Sequence, residues 1–116
     1  MSRAAAAPGI AERVDRIDWG CAAAELDATG HARLPGLLRE DECHALAALW
    51  DEPARFRKRV DLAQHRFGGG GAYQYFAYPL PEAVAMLRRA LYPLLARIAN
   101  AWQERLGAAL RFPPTH

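Results

Sequence analysis

Serine is almost missing from this chain of 116 residues: Ser2 is the only one, so serine nucleophile chemistry has no candidate outside the first few positions. Two cysteines, Cys21 and Cys43, stand alone without a Cys-x-x-Cys pair, which argues against a disulfide framework. Their neighbours predict helical core positions, buried and inert, in a reducing compartment. Charge of one sign is lacking as well, since 15 basic residues face 13 acidic ones for a net charge of +2. That balance argues against a nucleic-acid partner. No run approaches the roughly 18 apolar residues of a membrane span. The stretch Met1–Pro8 has an apolar run of only four alanines, followed by Glu12, Arg13, Asp15 and Arg16, so it reads as a tail and the protein is expected in the cytoplasm.

What is present is the composition of a small globular domain: 52% hydrophobic, 24% charged and 9% aromatic residues, the length of a single domain. About a fifth of the residues are alanine, so the core depends on Leu, Trp, Phe and Tyr. Residues 1–10 read as a disordered tail and 11–116 as the folded part. Val14, Ile17, Cys21 and Ala24 or Glu25 recur at helical spacing, Asp18 is placed to cap a second helical segment, and Gly30 to stop it. His31–Leu34 alternates before Pro35-Gly36 and predicts a strand or extended segment. Asp41 and Glu42 open the next helix, with Cys43, Leu46, Ala47 and Trp50 on one apolar face.

Pro53 ends that helix. Val60–Leu62 and Tyr73–Phe76 then predict a hairpin whose tip holds Gly68–Gly71. Pro79-Leu-Pro81 opens the longest helix, in which Val84, Leu87, Leu91, Leu94 or Leu95, Ile98, Trp102 and Leu106 form one stripe, with a bend expected at Pro93. The fold class is α+β.

Candidate chemistry is thin. The histidines are His31, His44, His65 and His116, and none is followed two positions later by Asp or Glu, so a His-x-Asp iron motif is absent from these residues. Four consecutive glycines match neither phosphate-loop spacing, and they precede a strand rather than a helix. Arg55, Arg57, Lys58, Arg59 and Arg66 form either an anion-holding patch or a solvated face. The stretch Arg66–Phe76 has the arginine, glycine and aromatic content that stacks on single-stranded RNA, and equally that of a glycine hinge before an aromatic strand, which is the preferred reading.

Several segments occur in a family-like order: Leu26-Asp-Ala-Thr-Gly30-His-Ala-Arg-Leu-Pro-Gly-Leu-Leu38, Glu42-Cys-His-Ala-Leu46, Phe56-Arg-x-Arg-Val60, His65-x-Phe67-Gly, Tyr73-x-Tyr75-Phe76-Ala-Tyr-Pro-Leu-Pro81, Leu87-Arg-x-Ala-Leu-Tyr-Pro93, Ile98-Ala-Asn100 and Arg111-Phe-Pro113. From about residue 18 to 116 this order resembles the N-terminal region of a bacterial subfamily of iron(II)- and 2-oxoglutarate-dependent oxygenases, prolyl-hydroxylase-like members of the double-stranded β-helix superfamily. Arg39 departs from the serine-like helix cap of the pattern.

The resemblance implies helices and first strands flanking a double-stranded β-helix, or jelly roll, in a dioxygenase or hydroxylase of unknown substrate. The family's Fe(II) and 2-oxoglutarate anchors lie in a part these residues do not match. The chain is therefore expected to be an incomplete portion whose partner is the remainder of the oxygenase domain, itself inactive and binding neither group. His65, Tyr73 and Tyr75 are the candidate pocket-lining residues. The alternative is a non-catalytic, stand-alone α+β interaction domain, which would use an exposed apolar face.

Overall fold

A computed structural model describes residues 7–65 and 70–116, with the side chains of Gln64 and His65 outside the described set. The elements run α1 (Ile10–Asp15), α2 (Trp19–Thr29), α3 (Glu40–Ala48), β1 (Phe56–Asp61), β2 (Ala72–Phe76) and α4 (Glu82–Arg105), with short 3-10 turns at Leu49–Asp51, Pro53–Arg55 and Leu62–His65. This is the expected α+β class. The elements divide between two compact units, one made of the described residues up to Leu38 together with Ala83–His116, the other of Arg39–Glu82.

In the first unit α1 places Ile10 and Val14 one helical turn apart, and both are buried. Trp19 closes this corner by donating its indole Nε1–H to the Val14 carbonyl at 3.0 Å. Arg13 ties the chain on either side, donating to the Pro8 carbonyl at 3.1 Å and to the Leu37 carbonyl at 2.5 Å. The Asp18 carboxylate accepts from the Cys21 amide at 3.0 Å, so it caps α2 as the sequence predicts. Gly30 ends the helix at φ 79°, a left-handed conformation that glycine adopts without steric cost.

Of the two alternatives expected at His31–Leu34, a strand or an extended segment, the strand does not form. Its polar groups are taken locally instead: the Arg33 amide donates to the Glu25 carboxylate at 3.3 Å, and the Thr29 hydroxyl donates to the His31 carbonyl at 3.1 Å. Side-chain bonds to the preceding helix have replaced the ladder that alternation alone suggested.

The helix α4 runs 24 residues and continues through Pro93. Its stripe is half-buried at Val84, Leu87, Leu91, Leu94, Ile98 and Trp102, and Ala96 is the fully buried position. Leu94 rather than Leu95 faces inward, and Leu106 lies beyond the helix and is exposed. Asp27 fastens α2 to α4: it accepts from the Trp102 indole at 2.6 Å and from Arg105 at 3.0 Å.

The chain after α4 is held by side chains, not by a regular element. Asn100 brackets Phe112, donating to its carbonyl at 2.9 Å and accepting from its amide at 2.7 Å, the two bonds a neighbouring strand would make. Tyr92 donates to the Pro113 carbonyl at 3.0 Å, and Arg88 donates to the His116 imidazole.

The second unit begins at Arg39, whose backbone amide donates to Glu42 Oε1 at 2.8 Å. Glu42 at the third helical position thus supplies the cap that an arginine side chain, having no acceptor, cannot. Glu40, Asp41 and Glu42 in the first turn of α3 suit the positive end of its dipole. The apolar face expected on α3 is not buried: Leu46 is half-covered, whereas Cys43, Ala47 and Trp50 are exposed.

Strands β1 and β2 pair antiparallel with Phe56 opposite Phe76, Lys58 opposite Tyr75, Arg59 opposite Gln74 and Val60 opposite Tyr73, and a register shift lies between Phe56 and Lys58. The ladder is lengthened at one end by the Ala77 amide on the Arg55 carbonyl at 2.8 Å and at the other by the Leu62 amide on the Gly71 carbonyl at 2.9 Å. Residues 66–69 of the expected hairpin tip lie outside the described residues.

Candidate functional site

The two faces of the hairpin differ in kind, because side chains alternate along each strand and directly paired residues share a face. One face packs on itself. Phe56 and Phe76 stack with ring centroids 5.0 Å apart, and Trp50 meets Phe56 edge-on at 6.2 Å. Arg59 lies over the Trp50 ring at 5.5 Å, and the Gln74 amide donates to the Trp50 carbonyl at 3.2 Å.

The other face carries Tyr73 and Tyr75. Their rings meet edge to face at 5.5 Å, yet each remains 43–45% exposed. The Arg57 guanidinium sits 5.5 Å from the Tyr75 ring centre, within cation–π range, and Arg57, Lys58 and Tyr75 line one shallow depression. Of the residues singled out from sequence, Tyr73 and Tyr75 are therefore brought together, and the His65 side chain lies outside the described residues.

The basic residues around the hairpin sort into two groups. Arg59 pairs with Asp61 at 3.1 Å and Arg55 reaches Glu52 at 3.9 Å. Among the described residues Arg57 and Lys58 have no carboxylate within ion-pair distance. The sequence shows the cluster but not this division, which follows from strand register; the alternation of Tyr73 and Tyr75 with Gln74 is the signal that marks the face.

A second concavity, a cleft of about 460 Å³ in the first unit, is lined by Arg13, Arg16, Asp18, Cys21, Glu25 and Arg33 among others. Its thiol is not a poised nucleophile. Cys21 donates to Asp18 at 3.2 Å, and that hydrogen bond, then the carboxylate's charge, push the thiol above its ordinary value. The same bonds, first from the Cys21 amide and then from its thiol, hold the Asp18 carboxyl below the usual range.

Both cysteines are free and exposed, not core residues as their neighbours suggest. Position on a helix does not bury a side chain when the facing surface is short, as it is for α2 and α3. Likewise the Arg39 guanidinium beside Asp41 holds that carboxyl below its ordinary value, a local pair on an exposed helix start.

The remaining histidines are scattered. His31 contacts the Thr29 carbonyl at 3.3 Å, His44 lies 3.5 Å from Glu40, and His116 meets Arg88 and the edge of Tyr92. Among the described residues no group of three or more His, Cys, Asp or Glu side chains could hold a metal ion. The described residues thus do not fit an iron(II) site. No helix among them is long and apolar enough to cross a membrane.

Residues 71–116 match the model of an oxygenase family described as "oxygenase, catalysing oxidative methylation of damaged DNA". The matched span takes in β2 with both tyrosines, all of α4, and the tail bracketed by Asn100. No curated protein and no solved structure matches the chain. The match supports an oxygenase.

Proposed function

We propose that this chain supplies the helical buttress and first hairpin of an iron(II)- and 2-oxoglutarate-dependent oxygenase whose substrate is damaged DNA. The family match over residues 71–116 carries the reading, and its described activity supplies the substrate class. Cofactor dependence comes from the ordered motifs between about residues 18 and 116, of which Tyr73–Pro81, Leu87–Pro93, Ile98–Asn100 and Arg111–Pro113 fall within the matched span.

The chain's own contribution is structural and positional. Asp27 and Asn100 hold the long helix to its neighbours, and the hairpin presents Tyr73 and Tyr75 outward. Because the described residues do not fit iron, the metal ligands of such an enzyme come from outside them. When bound, iron(II) would activate dioxygen, the oxidant that converts 2-oxoglutarate to succinate and carbon dioxide and oxidises a substrate C–H bond.

The test is succinate formation by the full-length gene product supplied with ferrous iron, 2-oxoglutarate, oxygen and a methylated single-stranded oligonucleotide. Succinate that rises with the oligonucleotide is the expected result. Its absence under all those conditions overturns the cofactor assignment, and succinate indifferent to the oligonucleotide overturns the substrate class.

A further inference from the structure

We propose that the outward face of the hairpin, formed by Arg57, Lys58, Tyr73 and Tyr75, is a binding surface for single-stranded DNA, with phosphates against the two cations and unpaired bases against the tyrosine rings. The charge comes first. Arg59 and Arg55 are answered by Asp61 and Glu52, whereas Arg57 and Lys58 meet no carboxylate among the described residues, so the unpaired positive charge of β1 falls at these two adjacent positions. Lys58 is moreover the only lysine in the chain. An anionic partner is what that surplus complements.

The rings narrow the anion. Tyr75 stands directly across the ladder from Lys58 and beneath Arg57, and Tyr73 stands two residues along the same strand on the same face. Phosphate or an acidic peptide would use the cations and leave two half-exposed tyrosines idle. A polyanion with flat rings at every repeat uses both, because stacking on aromatic side chains is open to every base while cations track the backbone. Bases in a duplex are already stacked on each other, so the strand must be single. The opposite face is less suited to this role, since Arg59 is paired with Asp61 and the Phe56 and Phe76 rings are half-buried against each other.

The choice of DNA over RNA rests on the function proposed above; the strand-binding surface itself does not. Fluorescence anisotropy of a labelled oligothymidylate of about ten nucleotides, titrated with the full chain, reads it. Wild-type protein should bind at low salt and weaken as salt rises. Tyr75→Ala should weaken binding about tenfold and Tyr75→Phe should retain it. Replacing Arg57 and Lys58 together by alanine should reduce the slope of log affinity against log salt by about 1.4, the release of two phosphate contacts on a single strand. Arg97→Ala, an equal change of charge per residue on the exposed side of α4, should leave binding as it is.

Absence of binding at low salt overturns the proposal, as does loss of affinity in Arg97→Ala equal to that in Lys58→Ala. Equal affinity for duplex or for polyglutamate overturns the stacking role, and tighter binding of oligouridylate overturns DNA. These outcomes are independent of succinate formation: a protein that turns over 2-oxoglutarate but binds no strand at low salt fails this proposal alone, and one that binds the strand without turnover fails only the oxygenase reading.

Discussion

The unit built from α1, α2 and α4 contains all four buried apolar residues among those described, Ile10, Val14, Ala22 and Ala96, whereas Arg39–Glu82 contains none. Both units expose large side chains, Leu95, Leu106, Leu110 and Phe112 in the first and Trp50, Tyr73, Tyr75 and Tyr78 in the second, so the difference lies in what is buried. Trp50, Tyr73 and Tyr75 are more than two-fifths exposed, and the order of the second unit comes from a backbone ladder and ring contacts. Buried apolar area stabilises a fold in proportion to its size, while exposed rings beside cations contribute little to folding and a good deal to binding. Helix positions in the first unit are therefore structural, and strand positions on the outer hairpin face are free to serve recognition.

The largest expected effect breaks or keeps that contrast directly. Val14→Ala removes buried methyl groups from the tightest position in the molecule and should lower stability by about 2 kcal/mol. Tyr75→Ala, on the exposed face, should change it by about 0.5 kcal/mol or less. Denaturant titrations of both variants decide the matter. Equal losses would show that the hairpin rings belong to the core after all.

A smaller effect sharpens the role of chain reversals in the helical unit. At Gly30 a Cβ would meet nothing within 4 Å, so any penalty for Gly30→Ala comes from φ 79° alone. The expected cost is about 1 kcal/mol. A substitution without effect would mean that α2 can end in another conformation.

Much of this division is legible in the sequence. Asp18, Gly30, the double proline before α4 and the stripe from Val84 to Trp102 act through local chemistry, and each falls where capping and periodicity put it. The hairpin is visible for the same reason, in alternating residues on either side of a glycine run. What escapes is burial and long-range pairing. Cys21, Cys43 and Ala47 sit at helical positions that pattern marks as interior, yet short helices with little opposite them leave those side chains in water.

Asn100 and Phe112 are twelve residues apart, and nothing in their types announces two reciprocal hydrogen bonds. The partition of Arg57 and Lys58 from Arg59 depends on a register shift at one residue, which composition cannot carry. At His31–Leu34, where a strand or an extended segment is expected, the strand is missing by the converse rule: alternation creates a strand only where a partner strand exists.

The smallest effect lies at Asp27, and it tests whether the helical unit is held by charge as well as by burial. Arg105 first, then the Trp102 indole, hydrogen-bond its carboxylate and hold the carboxyl below the ordinary 3.8, against a smaller opposing effect of desolvation. Because the folded state binds this proton less tightly than the unfolded state, the interaction stabilises fully above the unfolded value and is lost as pH falls through the depressed folded one. Wild-type protein should accordingly melt above Asp27→Asn near neutral pH, and the gap should close under strongly acidic conditions. Asp27 and Arg105 are 45% and 59% exposed, so solvent and salt screen the pair, and the gap should shrink in concentrated salt. A gap constant across pH would assign the link to the neutral hydrogen bonds, which asparagine keeps in part; a gap that closes only with acid would assign it to the ionised carboxylate.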